Sequence, residues 1–308
     1  MELSFAARAK AELCRVKTTK KCCAAAECYG ALLYCNSFTS REIRVITGSA
    51  EFAERLPRLF RRAFGFGFDV LPAPDTRPGA RRTLLIEDRG KLAGVFRAFG
   101  MEPDDTLTLH INLGVLENDC CKASFVRGAF LAGGSMTDPA KRYHLEFATT
   151  HAAVSREMNA LLYELGFEPG SARRGAGYLT YFKQSEAIAD FLTTAGAGVS
   201  ALEIMSARVE KDMRNEINRK VNCDTANADK TVAAAQEQLA AIRLLERERG
   251  LDTLPEGLQQ AALLRIANPE ASLADLAALS VPAVTKSCLG HRLKRLTALA
   301  AGMGGEDE

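Results

Sequence analysis

The chain has 308 residues, 47% hydrophobic and 25% charged, the make-up of a soluble globular protein of two or three domains with a sizeable core. No apolar run reaches the ~18 residues of a membrane-spanning helix. The start, MELSFAARAKAEL, lacks the apolar centre of a secretory signal, so the chain is expected in the cytoplasm. Formal net charge is +2, so a nucleic-acid partner would require basic residues gathered in one place.

The first dozen residues read as a short amphipathic helix. An internal repeat then organises residues 22–101 and 120–197. Each copy opens on a cysteine pair, Cys22-Cys23 and Cys120-Cys121, followed seven residues later by a glycine, Gly30 and Gly128. The surrounding stretches, CYGALLYCNSF and VRGAFLAGGSM, are apolar helices with small residues at their centres. Small side chains let two helix backbones approach, so these helices are expected to pack on each other.

A strand-like segment follows in each half, REIRVITG and RYHLEFAT. In the second, Tyr143, Leu145 and Phe147 alternate with His144 and Glu146, the period of a half-buried strand. Amphipathic helices come next. Their apolar positions are Phe52, Leu56, Leu59, Phe60 and Ala63 in the first copy and Val154, Met158, Leu161, Leu162 and Leu165 in the second. Gly65 and Gly166 are their expected C-terminal stops. Each copy ends in a hairpin with a basic tip, RPGARRTLLIE and ARRGAGYLTYFK, and a closing helix, GKLAGVFRAFG and SEAIADFLTTAG. The order helix–strand–helix–hairpin–helix, stated twice, predicts an α+β domain over 1–202 with pseudo-two-fold symmetry.

Residues 203–250 read as a helical connector, ending in a helix from Val232 to Arg249 with Leu239, Ile242 and Leu245 on one side. Its dense mixture of charges suits a solvated bridging helix or polar contacts to a neighbouring domain. Over 251–302 the spacing predicts three short helices. The first, Glu256–Ile266, turns Leu258, Ala262 and Leu263 inward. Ser272 caps the second, which carries Leu273, Leu276 and Ala277. A turn at Ser280-Val281-Pro282 leads to Thr285, which caps the third, with Leu289, Leu293, Leu296 and Ala300 on one face. Three such helices with a tight second connection are a helix-turn-helix. The tail, 303–308, is expected to be disordered.

The repeat resembles the LAGLIDADG homing endonucleases, in which two motif helices pack at a pseudo-dyad beneath a DNA-binding saddle. RGAFLAGGSM, the following DP and YHLEF, KVNCDTANADKTV and TKSCLGHRLKRL are similar to segments of the WhiA family of bacterial regulators, and the resemblance covers nearly the whole chain. It implies a degenerate LAGLIDADG domain, an all-α helix-turn-helix domain and a role in cell division, chromosome segregation and sporulation. In actinobacterial relatives it also implies an iron–sulfur WhiB-like protein partner.

Aligning the motif on Gly30 and Gly128 puts the two metal-binding acids of the nucleases at Cys35 and Gly133. Neither offers an oxygen to a hard cation, and the nearest acids, Glu27 and Asp138, sit elsewhere. The expectation is no catalytic residue, no metal and no cofactor; a metal-dependent endonuclease and a division scaffold that does not read DNA are the alternatives. Double-stranded DNA is the expected partner, at the nucleoid. Its contacts are assigned to Thr285, Lys286, Ser287, His291, Arg292, Lys294 and Arg295, a stretch free of acids from 286 to 295. Arg77, Arg81, Arg82, Arg173 and Arg174 at the hairpin tips are assigned either to phosphate contacts or to plain solvation. Nine cysteines without CxxC spacing argue against a disulfide scaffold, and the four paired ones are read as small buried hydrophobes, with a metal or redox site as the alternative.

Overall fold

The computed structural model describes residues 3–73, 77, 80–102 and 108–303. These divide into two compact units, residues 1–212 and 213–308.

Unit 1 begins with the expected amphipathic helix α1 (Phe5–Arg15), whose first turn is capped by the Ser4 hydroxyl. The first repeat then runs α2 (Lys21–Leu33), β1 (Ser37–Phe38), β2 (Ile43–Thr47), α3 (Ala50–Phe64), β3 (Arg82–Ile86) and α4 (Arg89–Ala98). The second runs α5 (Asp119–Gly133), β4 (Gly134–Met136), β5 (Leu145–Thr149), α6 (Ala152–Glu164), β6 (Gly170–Arg174), β7 (Gly177–Phe182) and α7 (Ser185–Ala195). The sheets are antiparallel, ordered β1-β2-β3 and β4-β5-β7-β6. Both halves gain a short strand after the motif helix, β1 and β4; the second half therefore carries one strand more than the sequence pattern gives, while the first, with one named strand in place of the hairpin, has three described strands. The first-copy hairpin also differs: where β6 pairs along β7, among the described residues a single bridge joins Val70 to Leu85.

Sequence pattern and packing agree in the paired amphipathic helices. Phe52, Leu56, Leu59, Phe60 and Ala63 of α3 are buried, as are Val154, Met158, Leu161 and Leu162 of α6. Ser49 caps α3, and Gly65 (φ 82°) ends it in the left-handed region that favours glycine. Aromatic rings fill the layer between helices and sheets: Phe130, Phe147 and Phe191 meet edge to face in the second half. Tyr29 stacks on Phe99, with ring centroids 4.2 Å apart, and meets Phe125 edge-on, tying the two copies together.

At the centre α2 and α5 run side by side in the same direction, with Gly30 against Phe125 and Ala129, and Gly128 against Glu27 and Ala31. A Cβ on Gly30 would stand 2.0 Å from the Phe125 carbonyl oxygen, and one on Gly128 would stand 2.0 Å from that of Glu27. No side chain fits at either position; the helices meet backbone to backbone, close enough for Cα–H···O contacts.

Beside this contact the buried Glu27 carboxylate accepts from Arg55 Nε (2.5 Å) and Nη2 (2.8 Å), from Arg127 Nε (3.1 Å) and from the Thr18 hydroxyl. Arg55 also donates to the carbonyls of Cys14 and Val16 at the end of α1, and Arg127 to that of Ala195 at the end of α7. Both guanidinium groups thus sit at the negative ends of helix dipoles.

α8 (Gly198–Arg249) is one unbroken helix of 52 residues, which replaces the expected connector with a separate helix from Val232. Glu12 accepts from the backbone N–H groups of Val199 and Ser200 and caps its start. Residues 212–234 are exposed, as a solvated helix requires. In unit 2, Ile242 and Leu245 of α8 join a core formed with α9 (Glu256–Ala267), α10 (Leu273–Leu279) and α11 (Lys286–Met303). Leu263 does not face inward as expected; it is exposed, because Leu258, Ala261, Ala262 and Arg265 form the buried stripe of α9. The tail expected to be disordered lies outside the described residues from 304 on, while Met303 is the last residue of α11.

Replacing Glu27 with Gln keeps the shape but leaves two guanidinium groups buried without a counter-charge. Such breakage costs about 3–5 kcal/mol. Denaturant unfolding of Glu27→Gln is expected to show that loss, whereas a loss below about 1 kcal/mol would mean the helix-end carbonyls alone suffice.

Candidate nucleic-acid interface

α11 is set by its neighbours. The Thr285 hydroxyl accepts from Cys288 N (3.2 Å) and starts the helix. Ser272 and Asp275 cap α10 reciprocally, as a capping box. Leu289, Leu293, Leu296 and Ala300 hold the inner face of α11 in the core. Arg265, which the sequence pattern does not single out, is almost fully buried. It donates to the Ala271 carbonyl (2.6 Å) and the Gln238 amide oxygen (3.0 Å), fixing the α9–α10 connection against α8. A charge inside the apolar run AALLRIA was the available signal.

With the inner face fixed, Ser287, His291, Lys294, Arg295 and Ala298 fall at i, i+4, i+7, i+8 and i+11 on the outer face, all exposed. Thr285 and Lys286 are exposed at the helix start, so six of the seven assigned residues stand open on one helix. Arg292 differs. It is half-buried, its guanidinium over Gly257 at the start of α9, where a Cβ would lie 3.2 Å from its Cζ. The glycine makes room for the arginine, so Arg292 is held in a packing contact with α9 while the other basic residues project. Gly290 is tolerated inside α11 beside Leu273.

The hairpin arginines separate in the same way. Arg82 lies within β3 and is buried, donating to the carbonyls of Gly48 and Ala80, so its assignment to a phosphate is corrected: it braces the loop beside the sheet. Arg173 lies 5.6 Å from the centre of the Tyr178 ring, and Arg174 reaches Glu146 at 3.4 Å. Both are exposed, as are Arg81 and Arg77; residues 78–79, at the expected hairpin tip, lie outside the described residues.

At the C-terminal ends of α2 and α5, Cys35 donates to the Ser37 carbonyl (3.2 Å), and burial pushes its thiol up to about 12. It is a neutral thiol at physiological pH. Gly133 sits where a Cβ would be 2.9 Å from Tyr34 Cβ. A cavity of about 480 Å³ opens here, walled by Tyr34, Cys35, Asn36, Thr149 and His151. None of its described lining residues carries a carboxylate. Burial lowers the His151 pKa from its ordinary value, favouring neutral imidazole. Glu27 is engaged by both arginines, and Asp138 caps the turn that follows it by accepting from Ala140 N.

Two antiparallel sheets over a closely packed helix pair, followed by a helical unit with a capped, outward-facing basic helix, define a LAGLIDADG-like domain joined to a helix-turn-helix. Residues 122–214 match the model of the WhiA LAGLIDADG-like domain, and residues 217–300 match that of the WhiA C-terminal HTH domain. The probable cell division protein WhiA of Ruminiclostridium cellulolyticum is 36% identical over 309 residues, 97% of each chain. That of Desulforudis audaxviator is 34% identical over 307 residues, again 97% of each. The crystal structure of full-length DUF199/WhiA from Thermatoga maritima aligns with a TM-score of 0.58 at 26% identity, covering 98% of both chains. The chain belongs to the WhiA family.

If Tyr34 closes the second acid position, Gly133→Asp is expected to lower stability by about 1–3 kcal/mol through overpacking. Thermal unfolding checks this; an aspartate accommodated at no cost would show that the position is open.

Proposed function

We infer that this protein is a sequence-specific DNA-binding transcriptional regulator acting in cell division, chromosome segregation and sporulation, and that it does not cut DNA. The observation that carries this is the single exposed face of α11. Thr285, Lys286 and Ser287 at the helix start are the groups a recognition helix offers to base edges. Lys294 and Arg295, a turn or more further on, suit flanking phosphates, and His291 stands between. Arg292 acts from its seat on α9, orienting the helix and offering its outer edge to the backbone.

The process is inferred from relatives that bear the name probable cell division protein; segregation and sporulation rest on the family resemblance. A neutral thiol at Cys35 and a glycine closed off by Tyr34 support the loss of cleavage, because a hard cation needs oxygen ligands. The exposed Arg81, Arg173 and Arg174 of unit 1 are assigned to auxiliary phosphate contacts. No described helix is long and apolar enough to cross a membrane. Work at the nucleoid follows from the assignment of DNA as partner. A WhiB-like partner rests on the resemblance alone.

Binding to a promoter duplex at several salt concentrations tests the assignment. Lys294→Ala and Arg295→Ala are each expected to weaken binding and to reduce the slope of log K against log salt by about 0.9 for each phosphate no longer neutralised. A chain ending at residue 251 is expected to lose specific binding. Specific binding that survives this truncation, with an unchanged salt slope in both variants, would place recognition in unit 1.

A further inference from the structure

The ends of α2 and α5 opposite the lost acid positions carry the four paired cysteines. Because the helices run in the same direction and meet at Gly30 and Gly128, their first turns come together. The sulfurs of Cys22, Cys23 and Cys121 all lie within 4.8 Å of one another. Cys120 lies outside this trio but next to it, lining one cavity with Cys23 and preceding Cys121 at the start of α5. Cys23 and Cys121 are buried, but Cys22 and Cys120 are exposed, so packing as small hydrophobes explains only half of the set.

Tetrahedral zinc holds thiolate sulfurs at about 2.3 Å, which places them about 3.8 Å apart. The three clustered sulfurs are within about an ångström of that spacing. The spacing rule for zinc motifs fails in the sequence because the ligands come as two adjacent pairs on separate helices, not as CxxC within one segment. Four thiolates around one divalent ion leave two negative charges. These face the positive ends of both helix dipoles, and Lys20, next to the first pair, acts electrostatically on Cys120.

We propose that Cys22, Cys23, Cys120 and Cys121 form a four-thiolate site for one zinc ion, which fastens the N-terminal ends of α2 and α5. Binding forms four Zn–S bonds; each thiol releases its proton to solvent, and no sulfur changes oxidation state. The exposed pair gives the ion its entry and the buried pair its anchor. The ion would join the two repeats at the one end of the helix pair where the glycine contact does not reach.

The test uses the full-length reduced protein, with Zn²⁺ and Co²⁺ as probes. Cobalt is expected to give thiolate charge-transfer absorption and the visible bands of a tetrahedral site, saturating at about one equivalent and displaced by zinc. Those bands should be lost in Cys22→Ser and Cys120→Ser, both exposed positions, and kept in Cys223→Ser with Cys288→Ser. In the unsubstituted chain, zinc should slow alkylation of Cys22 and Cys120 at least about tenfold, because bound thiolates are no longer nucleophiles. Alkylation of the exposed Cys223 and Cys288 should be unchanged, an internal control that needs no variant. Three results would overturn the site: no tetrahedral bands, bands that survive both serine variants, or conversion of the four thiols to disulfides between α2 and α5 with no metal taken up.

Discussion

Unit 1 depends on the backbone contact between α2 and α5. The oxygen of Phe125 occupies the space that any Cβ at position 30 would need, and the oxygen of Glu27 does the same at position 128. Two helices this close leave no room for side chains between them, so the pair is braced from beside the contact. Glu27 of α2 provides that brace. Its carboxylate collects Arg55 from α3 and Arg127 from α5, and those arginines in turn bind the last carbonyls of α1 and α7. One buried anion therefore fixes five helices, and the sheets pack on that frame.

The same closeness bears on the chemistry of the fold. At the C-terminal end of the pair, Tyr34 packs against Gly133 and Cys35 turns its thiol to a local carbonyl. That end holds a cavity with no carboxylate among its described lining residues. Buried charge sits at mid-helix, where it braces the frame. At the N-terminal end the residues are sulfur, suited to a soft ion or to none. Position along one helix pair thus separates three features: sulfur cluster, charged brace and open cavity.

Much of this architecture was legible in sequence because it rests on periodicity and on punctuation. The buried faces of α3 and α6, the stops at Gly65 and Gly166, the caps Ser272 and Thr285 and the glycines of the helix pair all follow from local rules. Where tertiary context decides, the residues read differently. β1 and β4 span two and three residues, too few to show alternation. Arg82 belongs to a basic run, but its carbonyl partners at Gly48 and Ala80 bury it. Leu263 continues the apolar pattern in sequence, but Arg265 completes the buried stripe. The sequence pattern divides α8 at Val232, although neither glycine nor proline interrupts the chain from 199 to 249. Glu27 and Arg127, charges within otherwise apolar helices, were visible, but their pairing across 100 residues was not. On α11, sequence grouped seven residues by charge and position, and packing against Gly257 sets Arg292 apart from the rest.

Amide hydrogen exchange on the full-length protein, with and without a target duplex, tests most directly the division between a reading helix and a bracing helix pair. DNA should slow exchange through the first turns of α11, while α2 and α5 remain the slowest-exchanging segments in either state and do not change. Slowed exchange around Cys35 and Gly133, with α11 unaffected, would contradict it.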